Sequence, residues 1–362
     1  MTAAPPTRVV VADDSGLMRR VLTHALSEAG FDVVGQAADG DEALELCRRL
    51  RPDTMTLDLH MPGMDGIGVL RELKRPGSPS IPVIVVSAFS PAHGARAVDA
   101  LAEGAFDLVA KPSAGAPLSV FVAELADKVR AAAGSVRRLV RPARPAAPAA
   151  PAAAPAVAAA PPARPAVPAR PALAAGKRFV AIASSTGGPA ALARLVPALP
   201  APLGTGSLIV QHMPPGFTAS LAARLDKVSP LNVSEAVNGD TLGPDKMLMA
   251  PGGWHLRVDA DRRAVLSEEA PIGGLRPRAD LTIVDAATLF GRRLLLVVLT
   301  GMGNDGVEGA KAVRAHGGRV LIQDESTSTV YGMPRAVAEA GLADAVHRLD
   351  DLPAAIVREA GS

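Results

Sequence analysis

Phe179-Val-Ala-Ile-Ala-Ser-Ser185-Thr-Gly-Gly-Pro189 decides how this chain is read. An apolar run long enough for a buried strand breaks at a Ser-Ser-Thr-Gly-Gly turn, and Pro189 stands where a helix can begin. A serine on such a strand-to-helix turn can project its hydroxyl from the sheet edge. The glycines allow close backbone approach, and a helix N-terminus favours developing negative charge. Taken alone, the stretch also fits a phosphate-binding turn or a plain polar loop.

Two neighbouring runs sharpen the reading. Ser207-Leu-Ile-Val-Gln-His212 is a short apolar strand that ends in a histidine. Leu294-Leu-Leu-Val-Val-Leu-Thr-Gly-Met-Gly-Asn-Asp305 is another and delivers an aspartate. If the three strands are parallel neighbours, all three side chains meet at the carboxyl edge of one sheet, where open α/β sheets carry their sites. A hydroxyl nucleophile needs a base, and the base needs an orienting acid. His255, in a Trp254-containing turn, and His316, before a Gly-Gly pair, compete for the base role, but neither ends an apolar strand. Asp305 has a structural alternative as a cap for a helix beginning near Gly306. Position alone leaves Ser184 and Ser185 open.

The first part of the chain repeats the strand–helix alternation five times. Strands are expected at Arg8–Ala12, Asp32–Gln36, Thr54–Leu59, Pro82–Ala88 and Phe106–Val109. This predicts a doubly wound parallel sheet. Its strand ends carry Asp13 and Asp14, Asp58, Ser87, and Lys111-Pro112. Carboxylates converging at one edge repel one another unless a hard cation neutralises them, which suits Mg²⁺. A carboxylate so neutralised could accept a phosphoryl group, with Lys111 pairing to it and Ser87 donating to it. One such acid would be read as a helix cap; five matching positions argue against that.

Between the halves, Gly134 to Gly176 is almost entirely Ala, Pro and Arg, with no acid and no aromatic residue. Such a segment cannot bury a core and is read as a linker. Drawn out in polyproline geometry it would reach about 130 Å. Without its arginines (Arg137, Arg138, Arg141, Arg144, Arg164 and Arg170) the formal charge of +2 turns negative, so net charge is no argument for nucleic-acid binding. The single cysteine, Cys47, lies on the apolar stripe of an expected helix and reads as core. No apolar run approaches the roughly 20 residues of a membrane span, and Met1 to Val10 does not read as a signal peptide. A cytoplasmic protein without membrane insertion is expected. The fold class is α/β: two doubly wound parallel-sheet domains, the second Rossmann-like, at residues 7–133 and 177–359, with the linker at 134–176.

Residues 8–133 resemble a response-regulator receiver domain through Asp13-Asp14, Asp58 before Met61-Pro-Gly-Met-Asp-Gly66, Ser87-Ala88 and Lys111-Pro112. The resemblance implies Asp58 as phosphoacceptor, Mg²⁺ held by Asp14, Asp58 and the His60 carbonyl with Asp13 helping through water, and a cis Lys111-Pro112 bond. Many receivers carry an aromatic switch residue where this chain has Leu108, so a rotating ring cannot report phosphorylation here. Residues 177–350 are similar to the catalytic domain of the chemotaxis protein-glutamate methylesterases. The matches are Ser184-Ser-Thr-Gly-Gly188, Gln211-His-Met-Pro-Pro-Gly-Phe217, Ala250-Pro-Gly-Gly253, Leu299-Thr-Gly-Met-Gly-Asn-Asp-Gly306 and Val330-Tyr-Gly-Met-Pro334.

That resemblance implies Ser185 as nucleophile, His212 as base and Asp305 as orienting acid. Backbone donors near Thr186, Gly187 and Met302 would face the oxyanion. The implied reactions are demethylation of receptor glutamate methyl esters and deamidation of receptor glutamines, without a cofactor. The implied partners are a chemotaxis histidine kinase as phosphodonor and methyl-accepting chemoreceptors as substrates, with no nucleic acid. The unphosphorylated receiver is expected to sit across the esterase site. Where the family often reads Arg-Pro-Ser-Val-Asp, this chain has Arg276-Pro-Arg-Ala-Asp280; Arg278 is expected to alter receptor fit and leave the chemistry alone. A regulator that has lost hydrolase activity is disfavoured by the intact Ser185, His212 and Asp305. A DNA-binding regulator is disfavoured because no basic helix-turn-helix is evident.

Overall fold

The computed structural model describes residues 5–88, 91–112, 117–140 and 177–361. The first unit runs β1 (Arg8–Ala12), α1 (Gly16–Glu28), β2 (Asp32–Ala37), α2 (Gly40–Leu50), β3 (Thr54–Leu57), α3 (Gly66–Leu73), β4 (Val83–Ser87), α4 (Pro91–Ala102), β5 (Asp107–Ala110) and α5 (Leu118–Val140). Its strands lie in the order β2-β1-β3-β4-β5 and every pair is parallel. Val9, Val10 and Val11 are wholly buried, as continuous apolar strands covered on both faces must be. Local chemistry sets the helix starts. Asp39 caps α2 by accepting from the Glu42 N–H at 2.8 Å, and Glu42 returns a bond from the Ala38 N–H at 2.8 Å. Cys47 is buried on α2, 3.7 Å from the Met55 sulfur, and burial pushes its thiol up to about 12.

The strand bounds differ from expectation by one or two residues, and α5 differs by more. Expected to end the first unit at residue 133, the helix continues to Val140. Val129, Ala132 and Ala133 are buried along it, alanine and arginine favour helix, and no proline occurs before Pro142. Residues 141–176 of the expected linker lie outside the described residues.

The second unit contains β6 (Phe179–Ser184), α6 (Gly188–Leu195), β7 (Ser207–Gln211), α7 (Phe217–Asp226), β8 (Asn232–Glu235), β9 (Lys246–Met249), β10 (His255–Val258), β11 (Ala264–Ser267), α8 (Ala279–Phe290), β12 (Leu294–Val298), α9 (Val307–Ala315), β13 (Arg319–Gln323), α10 (Met333–Glu339), β14 (Ala345–His347) and α11 (Leu352–Ala360). Seven strands form a parallel sheet in the order β14-β13-β12-β6-β7-β9-β8, and β10 and β11 form an antiparallel hairpin. The chain winds outward from β6 through β7 on one side and from β12 through β13 on the other. The β6/β12 boundary is therefore the switch point, where crossover loops part and leave a crevice. Pro189 stands in the first turn of α6, as expected.

The two units pack together. Helix α4 lies against α6 and α7, and Asp99 pairs with Arg224 across the boundary. Both side chains of that pair are substantially exposed, so it contributes under about 1 kcal/mol. Val330 of the second unit packs against the cluster containing Phe121 and Leu125 of the first. Among the described residues, no helix is long and apolar enough to cross a membrane.

Candidate active site

The strands β12, β6 and β7 are adjacent, so the loops after them carry Asp305, Ser185 and His212 to one edge. Ser184 is the last residue of β6 and is wholly buried; its hydroxyl donates to Gln211 Oε1 at 2.6 Å. Ser185 is the next residue and is partly exposed. Its N–H donates to the Thr300 carbonyl at 3.0 Å, and its carbonyl accepts from the Gly188 N–H at 2.7 Å and from Gln211 Nε2 at 2.9 Å. Gln211 Nε2 also donates to the His212 carbonyl at 3.0 Å, so one amide ties the serine turn to the histidine turn. Gly188 has no room for a side chain, because a Cβ there would lie 1.9 Å from Gln211 Oε1. Gln211 and Thr300 carry this scaffold, and the sequence reading assigned neither a role.

His212 Nε2 lies 2.7 Å from Asp305 Oδ2, with the histidine side chain 7% exposed. A carboxylate only accepts, so Nε2 donates to Asp305; in the neutral imidazole Nδ1 then carries the lone pair. Nδ1 is buried without a hydrogen-bond partner, so the Ser185 hydroxyl is not bonded to it in this state. Gly187 opens α6 as its N-cap, and Met302 is partly buried beside Gly301. The Thr186 hydroxyl is occupied by the first unit, donating to Asp107 Oδ2 at 2.6 Å. Lys128 lies 3.5 Å behind that carboxylate.

Asp305 does not cap the helix that follows it in the usual way. Neither Arg278, the N-cap residue of α8, nor Gly306, that of α9, supplies a side-chain cap. The caps are exchanged between the two helices. Asp305 accepts the Ala279 N–H (2.7 Å) and the Asp280 N–H (2.9 Å) from α8, and Asp280 Oδ1 accepts the Gly306 and Gly309 N–H groups (both 2.8 Å) from α9. Gly309 permits the close approach, since a Cβ there would be 2.7 Å from Ile283. Arg278 joins the exchange, with Nε 3.0 Å from Asp305 and a terminal nitrogen 2.9 Å from Asp280. Arg278 was expected to alter receptor fit and leave the chemistry alone; its guanidinium turns inward onto Asp305, the acid that holds His212. Burial alone would raise Asp305, but the His212 bond and charge, with the Asp280 N–H, hold it well below the usual carboxylate range. Asp280 moves the other way, raised by burial and by Asp305.

His255 is buried at the start of β10, where Nδ1 accepts from the Arg278 N–H at 3.2 Å. His316 caps the end of α9 and bonds the Ala312 carbonyl at 2.9 Å. Neither reaches the serine turn through a described bond.

The opposite site lies at the edge of the first sheet. Lys111 Nζ is 2.8 Å from both Asp13 Oδ2 and Asp58 Oδ2, and Asp58 Oδ1 accepts from the Leu59 N–H at 2.7 Å. Burial opposes the charge on Lys111, but bonds to Asp13 and Asp58 outweigh it and raise its pKa. Burial raises Asp13, against the pull of Lys111. Oxygens of Asp13, Asp14 and Asp58 lie within 4.8 Å of one another, and Asp14 is exposed to solvent. Three carboxylates against one ammonium fit a hard divalent cation. The Ser87 hydroxyl is buried with no partner, as suits a donor to an incoming phosphoryl oxygen. His60 is partly buried alongside. Two expectations fail or change here. Among the described residues the cis bonds are Ala201-Pro202 and Arg276-Pro277, and Lys111-Pro112 is not one of them; X–Pro isomers differ by only about 1 kcal/mol, so residue type does not decide them. Leu108 is core, and the adjacent Asp107 makes the contact to the second unit.

Fold and site together define a response regulator: a receiver joined to a catalytic unit with a serine, histidine and aspartate at its switch point. A receiver-domain family model matches residues 9–122, and a CheB methylesterase model matches residues 180–356. The chain is 44% identical to the protein-glutamate methylesterase/protein-glutamine glutaminase of Symbiobacterium thermophilum, over 98% of each chain. It is 40% identical to that of Pyrococcus abyssi, over 97% of this chain and 93% of the other. The catalytic domain of Thermotoga maritima CheB methylesterase is 40% identical over 51% of this chain and 99% of its own, with a TM-score of 0.49. The chain belongs to the protein-glutamate methylesterase/protein-glutamine glutaminase family.

The cap exchange predicts a pH-dependent cost for Asp305→Asn. The substitution removes a buried charge met by His212, Arg278 and the Ala279, Asp280 and Gly306 N–H groups, and should cost about 3 kcal/mol in urea unfolding at pH 7. Because the folded pKa of Asp305 is depressed, its contribution is present above about pH 4 and is lost as pH falls. The gap between wild type and variant should therefore shrink on acidification; a gap that widens contradicts the assignment.

Proposed function

We propose that the chain is a phosphorylation-regulated serine hydrolase. It removes methyl groups from glutamate methyl esters on chemoreceptors, releasing methanol, and deamidates receptor glutamines to glutamate. The observation that carries this reading is the lone-pair face of His212: Nδ1 is buried and unpartnered while Nε2 is held by Asp305, beside the Ser185 turn. In the reaction His212 Nδ1 takes the Ser185 proton as the hydroxyl oxygen attacks the acyl carbon. Backbone N–H groups near Met302 and the Thr186–Gly187 turn stabilise the oxyanion. His212 then returns the proton to departing methanol or ammonia, and water hydrolyses the acyl-enzyme by the same steps. Ester and amide share this route because only the leaving group differs.

On the receiver, residues 7–133, a chemotaxis histidine kinase supplies the phosphoryl group to Asp58. Asp13, Asp14, Asp58 and the His60 carbonyl would hold Mg²⁺, which when bound neutralises charge at the acceptor; Lys111 and Ser87 hold the transferred group. The linker read at 134–176, whose first residues extend α5 to Val140, joins this unit to the catalytic unit at 177–359, and the enzyme works in the cytoplasm. Without phosphate, the Asp107–Thr186 contact seats the receiver on the nucleophile loop, which supports restricted receptor access.

Two measurements test these roles. Ser185→Ala should lower methanol release from methylated receptors by about 10⁴ to 10⁶ with the fold intact, whereas Ser184→Ala should be milder; the reverse ranking would reject Ser185 as nucleophile. Phosphodonor labelling should require Mg²⁺ and vanish in Asp58→Asn; mass spectrometry that finds the phosphoryl group on Asp13 or Asp14 would reject the receiver assignment.

A further inference from the structure

Arg278 was legible only as an extra charge, yet its side chain is 16% exposed, with Nε and both terminal nitrogens engaged on the catalytic unit. Its backbone N–H donates to His255 Nδ1, Nε faces Asp305 Oδ1 at 3.0 Å, and one terminal nitrogen faces Asp280 Oδ2 at 2.9 Å. The other terminal nitrogen reaches the Ile272 carbonyl at 3.4 Å. These contacts take three of the five guanidinium N–H groups and turn the head group onto the catalytic unit.

The charges around the base explain why a guanidinium stands there. Asp305 and Asp280 are both buried, and each accepts N–H groups from the other's helix. With both ionised and no cation, two negative charges would lie on the histidine side of the site. An imidazole beside such a cluster is drawn to bind a proton, and a protonated imidazole cannot take one from serine. Resting on the proposed roles of Ser185 and His212, we propose that Arg278 is a positioning residue for the triad: it clamps Asp305 and Asp280 in their exchanged-cap geometry and offsets one of their two charges, so that His212 rests as a neutral acceptor. Arginine suits this because its planar fork addresses two carboxylates at once, which a lysine ammonium does not match. Serine at this position, frequent in the family pattern, leaves that charge without an offset from this residue.

The titratable and charged groups connected to His212 through the described contacts are Asp305 on the loop after β12, Arg278 and Asp280 at the start of α8, and His255 on β10. Across the boundary are Asp107 and Lys128, which reach the neighbouring loop through Thr186.

The test uses the full chain with ¹³C-labelled histidine, the His212 resonance being assigned by its loss in His212→Gln. Arg278→Ser should move the His212 titration midpoint upward by on the order of one pH unit, and Asp280→Asn should move it downward by a similar amount. The double variant should return close to wild type, and Arg278→Lys should lie between wild type and Arg278→Ser. The acid limb of Ser185 modification by diisopropyl fluorophosphate, in which the serine oxygen displaces fluoride from phosphorus, should move with the same signs. Opposite signs for the two single changes are what charge compensation requires and general loosening of the loop does not produce. Midpoints that stay within about 0.2 unit of wild type, or that move in the same direction, overturn the proposal. If Arg278→Ser does not fold, the sign in Asp280→Asn decides: a fall supports the proposal and a rise or no change overturns it. Absence of Ser185 labelling in the wild type would reject the hydrolase mechanism instead, and the histidine titration would still report on the charges.

Discussion

A carboxylate taken out of water must be met by donors or a cation, or give up its charge. Buried carboxylates at the two sites and between the units are arranged under that constraint. At the first sheet edge, Asp13 and Asp58 share Lys111. At the second, Asp305 and Asp280 are met by the N-termini of each other's helices and by Arg278. Between the units, Asp107 is met by Thr186 and Lys128. The first cluster retains an excess of negative charge, which fits a divalent cation and a site where phosphoryl chemistry can occur. The second is nearly compensated, which fits a fixed acid that orients a base.

The exchanged caps solve a geometric problem as well. An orienting acid on a loop is only as well placed as the loop, and loops are the mobile parts of a fold. Asp305 gains rigidity because α8 and α9 each depend on the other's carboxylate for N-terminal donors, so the acid moves only if both helices do. Gln211 does the same for the other two members by bonding the carbonyls of Ser185 and His212. Ser185, His212 and Asp305 are thus held by elements on both sides of the β6/β12 switch point.

Much of this was legible in sequence. The strands were readable because both faces of a parallel sheet are covered and its strands run apolar throughout. Their ends then delivered Ser185, His212, Asp305, Asp58, Ser87 and Lys111 at once. What escaped were contacts that periodicity cannot carry. Asp280 and Asp305 meet across 25 residues, and nothing in either segment says which helix terminus will face which acid. Arg278 looked like surface because long cations usually are, and only the buried carboxylate pair draws it inward. Asp107 was overlooked because it opens β5 whereas the chemistry was sought at strand ends. The helical run past residue 133 was obscured by the alanine- and proline-rich composition that follows it.

The two sites can act on each other only if a contact between the units changes with phosphorylation, and among the described residues Asp107 to Thr186 is a contact that reaches the Ser185 turn. Asp107→Ala removes the acceptor while leaving Asp58, Ser185, His212 and Asp305 in place. The decisive measurement is the rate of methanol release from methylated receptors by full-length wild type and Asp107→Ala, each with and without a phosphodonor. Loss of a hydrogen bond to a charged acceptor should shift the docked population by roughly tenfold. The unphosphorylated variant should therefore approach the rate of the phosphorylated wild type, with little further stimulation by phosphodonor. An unphosphorylated rate equal to that of wild type, with undiminished stimulation, would contradict control of the active site through this contact.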